Sequence, residues 1–157
     1  MMSDFFDFEA EFTASLRCIP MVVRYKLDRC GIKLKLIHWH QLSHDQRQWL
    51  VITPCDRPEE QEHCRQQLRD WVTASHGTPP GDLAVPETFE WEITNAIPET
   101  VQQQLQRENI PAFTVEQWAA LTPLQRFALV KLSQPGHENR NFAPALHEFG
   151  LVPQPHA

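Results

Sequence analysis

The side chains best suited to chemistry in this sequence are its cysteines and histidines. Cys18, Cys30, Cys55 and Cys64 follow one another at spacings of 12, 25 and 9 residues, without any C-x-x-C pair. Zinc sites and iron–sulfur clusters usually draw on closely spaced cysteine pairs. The spacing therefore predicts reduced, mostly buried thiols and no metal ligand. A four-cysteine site that assembles only in three dimensions is the alternative.

Three histidines, His38, His40 and His44, lie within seven residues and suggest a second metal-binding candidate. His38 and His40 would share a face only on a strand, and His44 follows the expected cap of the next helix. No carboxylate or cysteine beside them in the sequence is placed to converge on the same ion. We therefore expect solvated loop histidines around Trp39.

A polar turn follows Pro135 and Gly136. The zinc-protease motif that His137 and Glu138 suggest requires a second histidine at position 141, where the sequence has asparagine. The motif therefore fails. The density of hydrogen-bonding side chains still predicts a partner contact patch, which comprises His137, Glu138, Asn139 and Arg140.

The sequence offers no catalytic residue set and no loop for a cofactor. A phosphate loop, a dinucleotide fingerprint and a G-x-S-x-G elbow are all absent from a chain with five scattered glycines. Residues 56–116 carry twelve acids against four bases, which disfavours nucleic acid as a partner. We therefore expect a protein that is not an enzyme and that needs no cofactor.

Positive charge is concentrated in residues 17–36, here called the basic segment. It contains six cations and one acid, Asp28, although the whole chain has a net charge of −6. Together with Tyr25, these cations predict a docking surface for an acidic protein: Arg17, Arg24, Lys26, Arg29, Lys33 and Lys35. The alternative is pairing of Arg24, Lys26 and Arg29 with the acids near the N-terminus, which are Asp4, Asp7, Glu9 and Glu11.

Ser43, Thr114 and Thr122 are each followed three residues later by a glutamine, which predicts capping boxes at the starts of three helices. The stretch 126–132 is apolar on nearly every side, which predicts a central buried helix.

The pattern of caps and apolar stripes predicts a mainly α protein. We expect a single compact domain over residues 1–151, with about five to seven helices. A minor strand pair is predicted from 32–36 and 89–93, a long connection over 77–96 and a flexible tail over 152–157. The N-terminus is acidic and aromatic, unlike a targeting peptide, and the apolar runs are too short to span a membrane. A cytoplasmic protein without a membrane partner is expected.

Two long blocks of the sequence carry a family resemblance. Residues 17–36, RCIPMVVRYKLDRCGIKLKL, and residues 116–142, EQWAALTPLQRFALVKLSQPGHENRNF, resemble the nitrate reductase-associated protein family of cyanobacteria. The ending PALHEFGL at 144–151, the start FDFE at 6–9 and IPE at 97–99 agree with it. The resemblance spans nearly the whole chain and is weakest between residues 55 and 92.

The resemblance implies an accessory or maturation factor for assimilatory nitrate reductase, the ferredoxin-dependent enzyme that carries molybdopterin and an iron–sulfur cluster. The expected partner is the catalytic subunit of that reductase, and ferredoxin is a second candidate. Three roles stay open, namely maturation chaperone, stable small subunit and docking factor for the electron donor. The alternative function is a small metal-dependent enzyme or cluster carrier that uses His38, His40 and the cysteines.

Overall fold

The computed structural model describes residues 5–13 and 16–152, apart from the side chains of residues 11, 12, 137 and 138. The predicted mainly α fold is confirmed, with six helices of at least seven residues and a two-stranded antiparallel sheet within the described part of the chain. The contacts group the chain into two compact units, Met1–Val85 and Pro86–Ala157, which are described separately. The expectation of one domain stays a prediction.

The first unit contains most of the helical residues around a long helix, α5. In chain order its elements are a 3-10 helix Asp7–Glu9, α1 Ala10–Thr13, α2 Met21–Cys30, β1 Ile32–Lys33, α3 Leu36–Gln41, α4 His44–Ile52, α5 Pro58–His76 and β2 Gly81–Asp82. Strands β1 and β2 are antiparallel, with Ile32 opposite Asp82. Helix α5 presents Cys64, Leu68 and Val72 to the core of this unit.

Both ends of α2 are fixed by specific residues. At its start the buried Glu9 carboxylate accepts the backbone N–H of Met21 at 2.7 Å and that of Phe6 at 3.1 Å. A carboxylate at this end satisfies an unpaired N–H group and opposes the positive end of the helix dipole. At the other end Gly31 has a φ of 74°, the left-handed conformation that ends many helices.

The second unit is built around α8. In chain order its elements are a 3-10 helix Glu90–Glu92, α6 Glu99–Arg107, α7 Val115–Ala120, α8 Pro123–Leu132, a 3-10 helix His137–Asn141 and α9 Phe142–Glu148. Residues 126–130 of α8 are all buried, as its apolar sequence predicted. One of them is Arg126, whose guanidinium donates hydrogen bonds to backbone carbonyls.

The predicted strand at 89–93 is wrong. This segment forms a single 3-10 turn in which the Phe89 N–H donates to the Glu92 carboxylate at 3.0 Å, and Phe89 stacks on the buried Trp91. Alternating apolar residues fit such a turn as well as a strand, because only one ring needs to be buried. The partner of β1 is instead Gly81–Asp82, inside the predicted connection. The ion pairs of Arg65 and Arg69 with Asp82 tie β2 to α5.

The predicted capping boxes are confirmed. Ser43, Thr114 and Thr122 each accept the N–H of a glutamine three residues on, and each glutamine side chain accepts in return. In the described residues, none of the helices has the length and apolar character needed to cross a membrane. The predicted tail falls mostly on residues 153–157, which lie outside the described residues.

Candidate functional site

Three cysteines of the first unit meet in its interior and are here called the thiol group: Cys30, Cys55 and Cys64. Their sulfur atoms all lie within 4.8 Å of one another. The Sγ atoms of Cys30 and Cys55 are 3.0 Å apart, and the three residues are buried free cysteines. The expected burial is confirmed for these three, and their reduced state stays a prediction. Cys18 is half-buried and does not join them.

The sulfurs of the thiol group come from two helices and the connection between two others. Cys30 is the last residue of α2, Cys55 lies between α4 and α5, and Cys64 lies in α5. Arg65 joins two of these elements, since its guanidinium donates to the carbonyls of Cys30 and Gly31 at 3.0 Å each. The fold therefore holds the backbone around the sulfurs through contacts that do not involve the sulfurs themselves.

The three sulfurs differ in their acidity because they share hydrogen bonds. The hydrogen bonds from Cys30 and then Cys55 lower the pKa of the Cys64 thiol to about 4. The hydrogen bond with Cys55, followed by that with Cys64 and by burial, raises the pKa of Cys30. Within the thiol group, Cys64 therefore ionises most readily, and a second negative charge beside it is disfavoured.

A cation lies beside the thiol group. The Lys26 ammonium donates to the carbonyls of Leu50 at 3.0 Å and Val51 at 2.7 Å, in the last turn of α4. Its charge adds to the lowering of the Cys64 pKa, although less than the hydrogen bonds among the sulfurs do. At Cys55 it only reduces a rise in pKa, since the hydrogen bond with Cys64 and burial raise the pKa of that thiol overall. A buried anionic centre therefore has a compensating charge close by.

The structure separates the predicted histidine candidates from the thiol group. His38 lies in α3 and is buried, so the expectation of a solvated loop histidine is wrong for it. Its Nδ1 accepts the backbone N–H of Lys35 at 3.1 Å, and its ring meets that of His76 at 4.6 Å. Burial, then the charges of His76 and Lys35, lowers the pKa of His38. His38 thus caps the start of α3, where its imidazole accepts the Lys35 N–H.

His40 and His44 are exposed, as predicted, but they lie in α3 and α4 and not in a loop, so that part of the prediction is wrong. The ring of His40 hydrogen bonds to the carbonyl of Arg17 at 3.0 Å. Over the residues that the structure describes, the only group of three or more cysteine, histidine or carboxylate side chains with the spacing of a metal site is the thiol group. The alternative function, a metal-dependent enzyme or cluster carrier, therefore has geometric support in the cysteines. His38 and His40 do not lie with them.

Part of the basic segment has a structural role. Beside Lys26, Arg29 donates to the Tyr25 hydroxyl and to the carbonyl of Asp56, both at 2.9 Å, and its guanidinium lies over the Tyr25 ring. Arg24 donates to the carbonyl of Ile19 at 3.1 Å. Four of the predicted docking residues therefore contribute to the folding of the first unit.

The exposed part of the basic segment is shorter than the sequence predicts. Lys33 and Lys35 are exposed, and they precede Leu36 and Ile37, whose side chains are 50% and 49% exposed. Arg17 is also exposed. Residues 33–37 thus present two cations and two large apolar side chains together, a mixture typical of protein interfaces. These residues are here called the mixed surface.

The pairing of Arg24, Lys26 and Arg29 with the acids near the N-terminus stays a prediction. Glu9 binds the start of α2, while Asp7 is exposed. Asp4 lies outside the described residues, as does the side chain of Glu11.

The polar turn of the second unit is partly structural. Asn139 donates to the carbonyls of Leu132 and Gln134, both at 2.6 Å, and so closes the end of α8. Arg140 is exposed, whereas the side chains of His137 and Glu138 lie outside the described residues. A partner contact at this turn stays a prediction.

The comparisons with known proteins agree with the resemblance in the sequence. Residues 5–149 match the model of a family described as conserved nitrate reductase-associated protein. Neither a curated protein nor a solved structure matches the chain. The matched range covers both units and includes the thiol group and the mixed surface. The chain therefore belongs to the conserved nitrate reductase-associated protein family.

Proposed function

We propose that this protein is a non-catalytic accessory or maturation factor that binds assimilatory nitrate reductase and is required for its activity. The observation that carries the proposal is the family match over residues 5–149. The reductase meant here is the ferredoxin-dependent enzyme with molybdopterin, and the contact is with its catalytic subunit in the cytoplasm. Ferredoxin is the second candidate for the same surface.

The mixed surface is the part of the first unit that suits such a contact best. Lys33 and Lys35 can steer an acidic partner and fix its orientation, while Leu36 and Ile37 supply apolar area that is now in water. By contrast, Lys26 and Arg29 are held by backbone carbonyls, so their replacement would disturb folding as well as binding.

The test is a pull-down of the reductase catalytic subunit with purified protein, followed by a reductase assay. We expect Lys35→Glu combined with Lys33→Glu to weaken the association by about tenfold or more, since like charges across an interface repel. Higher salt should weaken the unmodified pair in the same direction. Arg57→Glu is the control, because the Arg57 side chain is 70% exposed and belongs to the same unit.

Association that is unchanged in the double variant would exclude the mixed surface. If the unmodified protein captures no reductase, and reductase made without it is fully active, the proposed function itself is wrong. One further experiment distinguishes action during turnover from action during maturation. Purified protein that restores activity to finished reductase acts during turnover, whereas protein that helps only during synthesis of the reductase acts in maturation.

A further inference from the structure

We propose that the thiol group is a metal site that binds one divalent, thiophilic ion of the Zn²⁺ class through the sulfurs of Cys30, Cys55 and Cys64. This inference does not depend on the proposed function. It begins from the convergence of three sulfurs that come from three separate parts of the chain and lie within 4.8 Å of one another.

The distances suit a single ion. With Zn–S bonds of about 2.3 Å, sulfurs around one ion lie roughly 4 Å apart. The present separations, between 3.0 Å for one pair and the 4.8 Å limit for all three, bracket that value. In an iron–sulfur cubane each thiolate binds a different iron ion, so its cysteine sulfurs must lie farther apart than sulfurs around one ion. The thiol group is too compact for such a cluster.

The local charge favours a divalent ion over a monovalent one. Three thiolates and one divalent ion sum to a single negative charge, and the Lys26 charge favours an anionic centre here. A monovalent ion would leave a second negative charge in the same buried place, which is costly. On binding, the ion takes the place of the remaining thiol protons, which pass to the buffer.

The ligand set leaves one position open. Among the described residues, no fourth cysteine, histidine or carboxylate joins the three sulfurs. Zinc sites with three protein ligands hold water or an exogenous ligand in the fourth position, whereas purely structural sites have four protein ligands. The thiol group therefore resembles the open class in its number of ligands.

Two neighbouring side chains hold the backbone of the cysteines that would bind the ion. Arg65 fixes the carbonyl of Cys30, and the side-chain amide of Gln61 donates to the carbonyl of Cys55 at 3.4 Å. Because these contacts hold the ligand backbone in place, binding requires small movements of the sulfurs and no refolding.

The experiment measures zinc uptake by the reduced full chain. Protein stripped with a chelator under reducing conditions is mixed with excess ZnCl₂, separated from free zinc and analysed for metal. We expect about one zinc ion per chain. Cys30→Ser and Cys64→Ser should each lose most of this zinc. Cys18→Ser is the matched control and should keep it, because Cys18 does not belong to the thiol group.

A second readout covers variants that fail to fold. In the unmodified chain, zinc should slow the alkylation of Cys30, Cys55 and Cys64 by iodoacetamide, and leave the rate at Cys18 unchanged. Zinc at about 100 times its Kd should also raise the Tm by roughly 5–10 °C. In place of zinc, Co²⁺ should give thiolate-to-metal charge-transfer absorption that Cys64→Ser removes.

The proposal is overturned if the reduced, folded chain takes up no zinc, or if Cys64→Ser retains it. It is also overturned if the chain loses two hydrogens in mass through a Cys30–Cys55 disulfide and binds no zinc after reduction. Each of these results would leave reductase association untouched. Failure of this inference and failure of the proposed function are therefore distinguishable.

Discussion

Two buried polar groups, Arg126 in the second unit and the thiol group in the first, differ in the partners that they meet. In the second unit, Arg126 directs its guanidinium at the carbonyls of Trp91, Ala119 and Leu121. These hydrogen bonds to the backbone explain why the fold can bury this cation. In the first unit, the sulfurs of the thiol group chiefly meet one another. The comparison teaches that burial alone does not reveal a role, whereas the partners of a buried group do.

The largest effect should come from Arg126→Met in the second unit. The change leaves the carbonyls of Trp91 and Leu121 without a donor, and buried unsatisfied acceptors are costly. We expect the free energy of unfolding to fall by about 3–5 kcal/mol in urea titrations. Arg140→Met, at an exposed arginine of the same unit, should change it by less than about 0.5 kcal/mol. Equal effects would remove the structural role given to Arg126.

A smaller effect is expected at Gly31, beside the thiol group. An added Cβ would lie 2.9 Å from Val85 Cγ2 and 3.0 Å from the Leu83 carbonyl, at a φ of 74°. We expect Gly31→Ala to lower the free energy of unfolding by about 2–3 kcal/mol. Gly77→Ala is the matched control, since its φ is also positive but the added Cβ meets no atom within 4 Å. Its cost should be about 1 kcal/mol, the backbone part alone.

Cys64→Ala tests the thiol group directly. Without metal we expect a loss of only about 1–2 kcal/mol, because a single sulfur atom leaves the core. With free zinc at about 100 times its Kd, the unmodified protein should gain about 2.7 kcal/mol while the variant gains nothing. Urea titrations with and without zinc measure both differences. A loss without metal as large as that of Arg126→Met would make the thiol group structural in the same sense as Arg126.

The smallest effect concerns pH and His38. Burial lowers the pKa of His38 below its ordinary value of 6.5, so the unfolded chain takes up a proton before the folded protein does. Its contribution to stability is therefore present above pH 6.5 and is lost as the pH falls below that value. We expect His38→Asn, which retains an acceptor for the Lys35 N–H, to show a shallower loss of stability between about pH 7 and pH 5. Identical pH slopes would contradict this account.

Much of the fold was predictable because its signals are local. The capping boxes at Ser43, Thr114 and Thr122 need only four adjacent residues, and all three form as expected. The apolar sequence of α8 likewise predicted a central helix. The segment at 89–93 was misassigned because alternation over five residues does not distinguish an extended strand from a single turn that buries one ring.

The candidate site was less predictable because it depends on distant parts of the chain. Nothing in spacings of 25 and 9 residues indicates that Cys30, Cys55 and Cys64 meet. The available signal was weaker, namely that Cys30 and Cys64 each continue the apolar stripe of a helix. The charge of the basic segment was visible in the sequence, but the carbonyls that Lys26 binds are brought to it only by the packing of α4.

The position of the thiol group in the chain has a consequence for the order of events during synthesis. Its last member is Cys64, and the second unit begins at Pro86. Since N-terminal parts of a chain can fold while the ribosome is still at work, the ligand set can close before most of the second unit has been made. Metal supply would then act on the nascent chain, at a stage when only the first unit is present to respond to it.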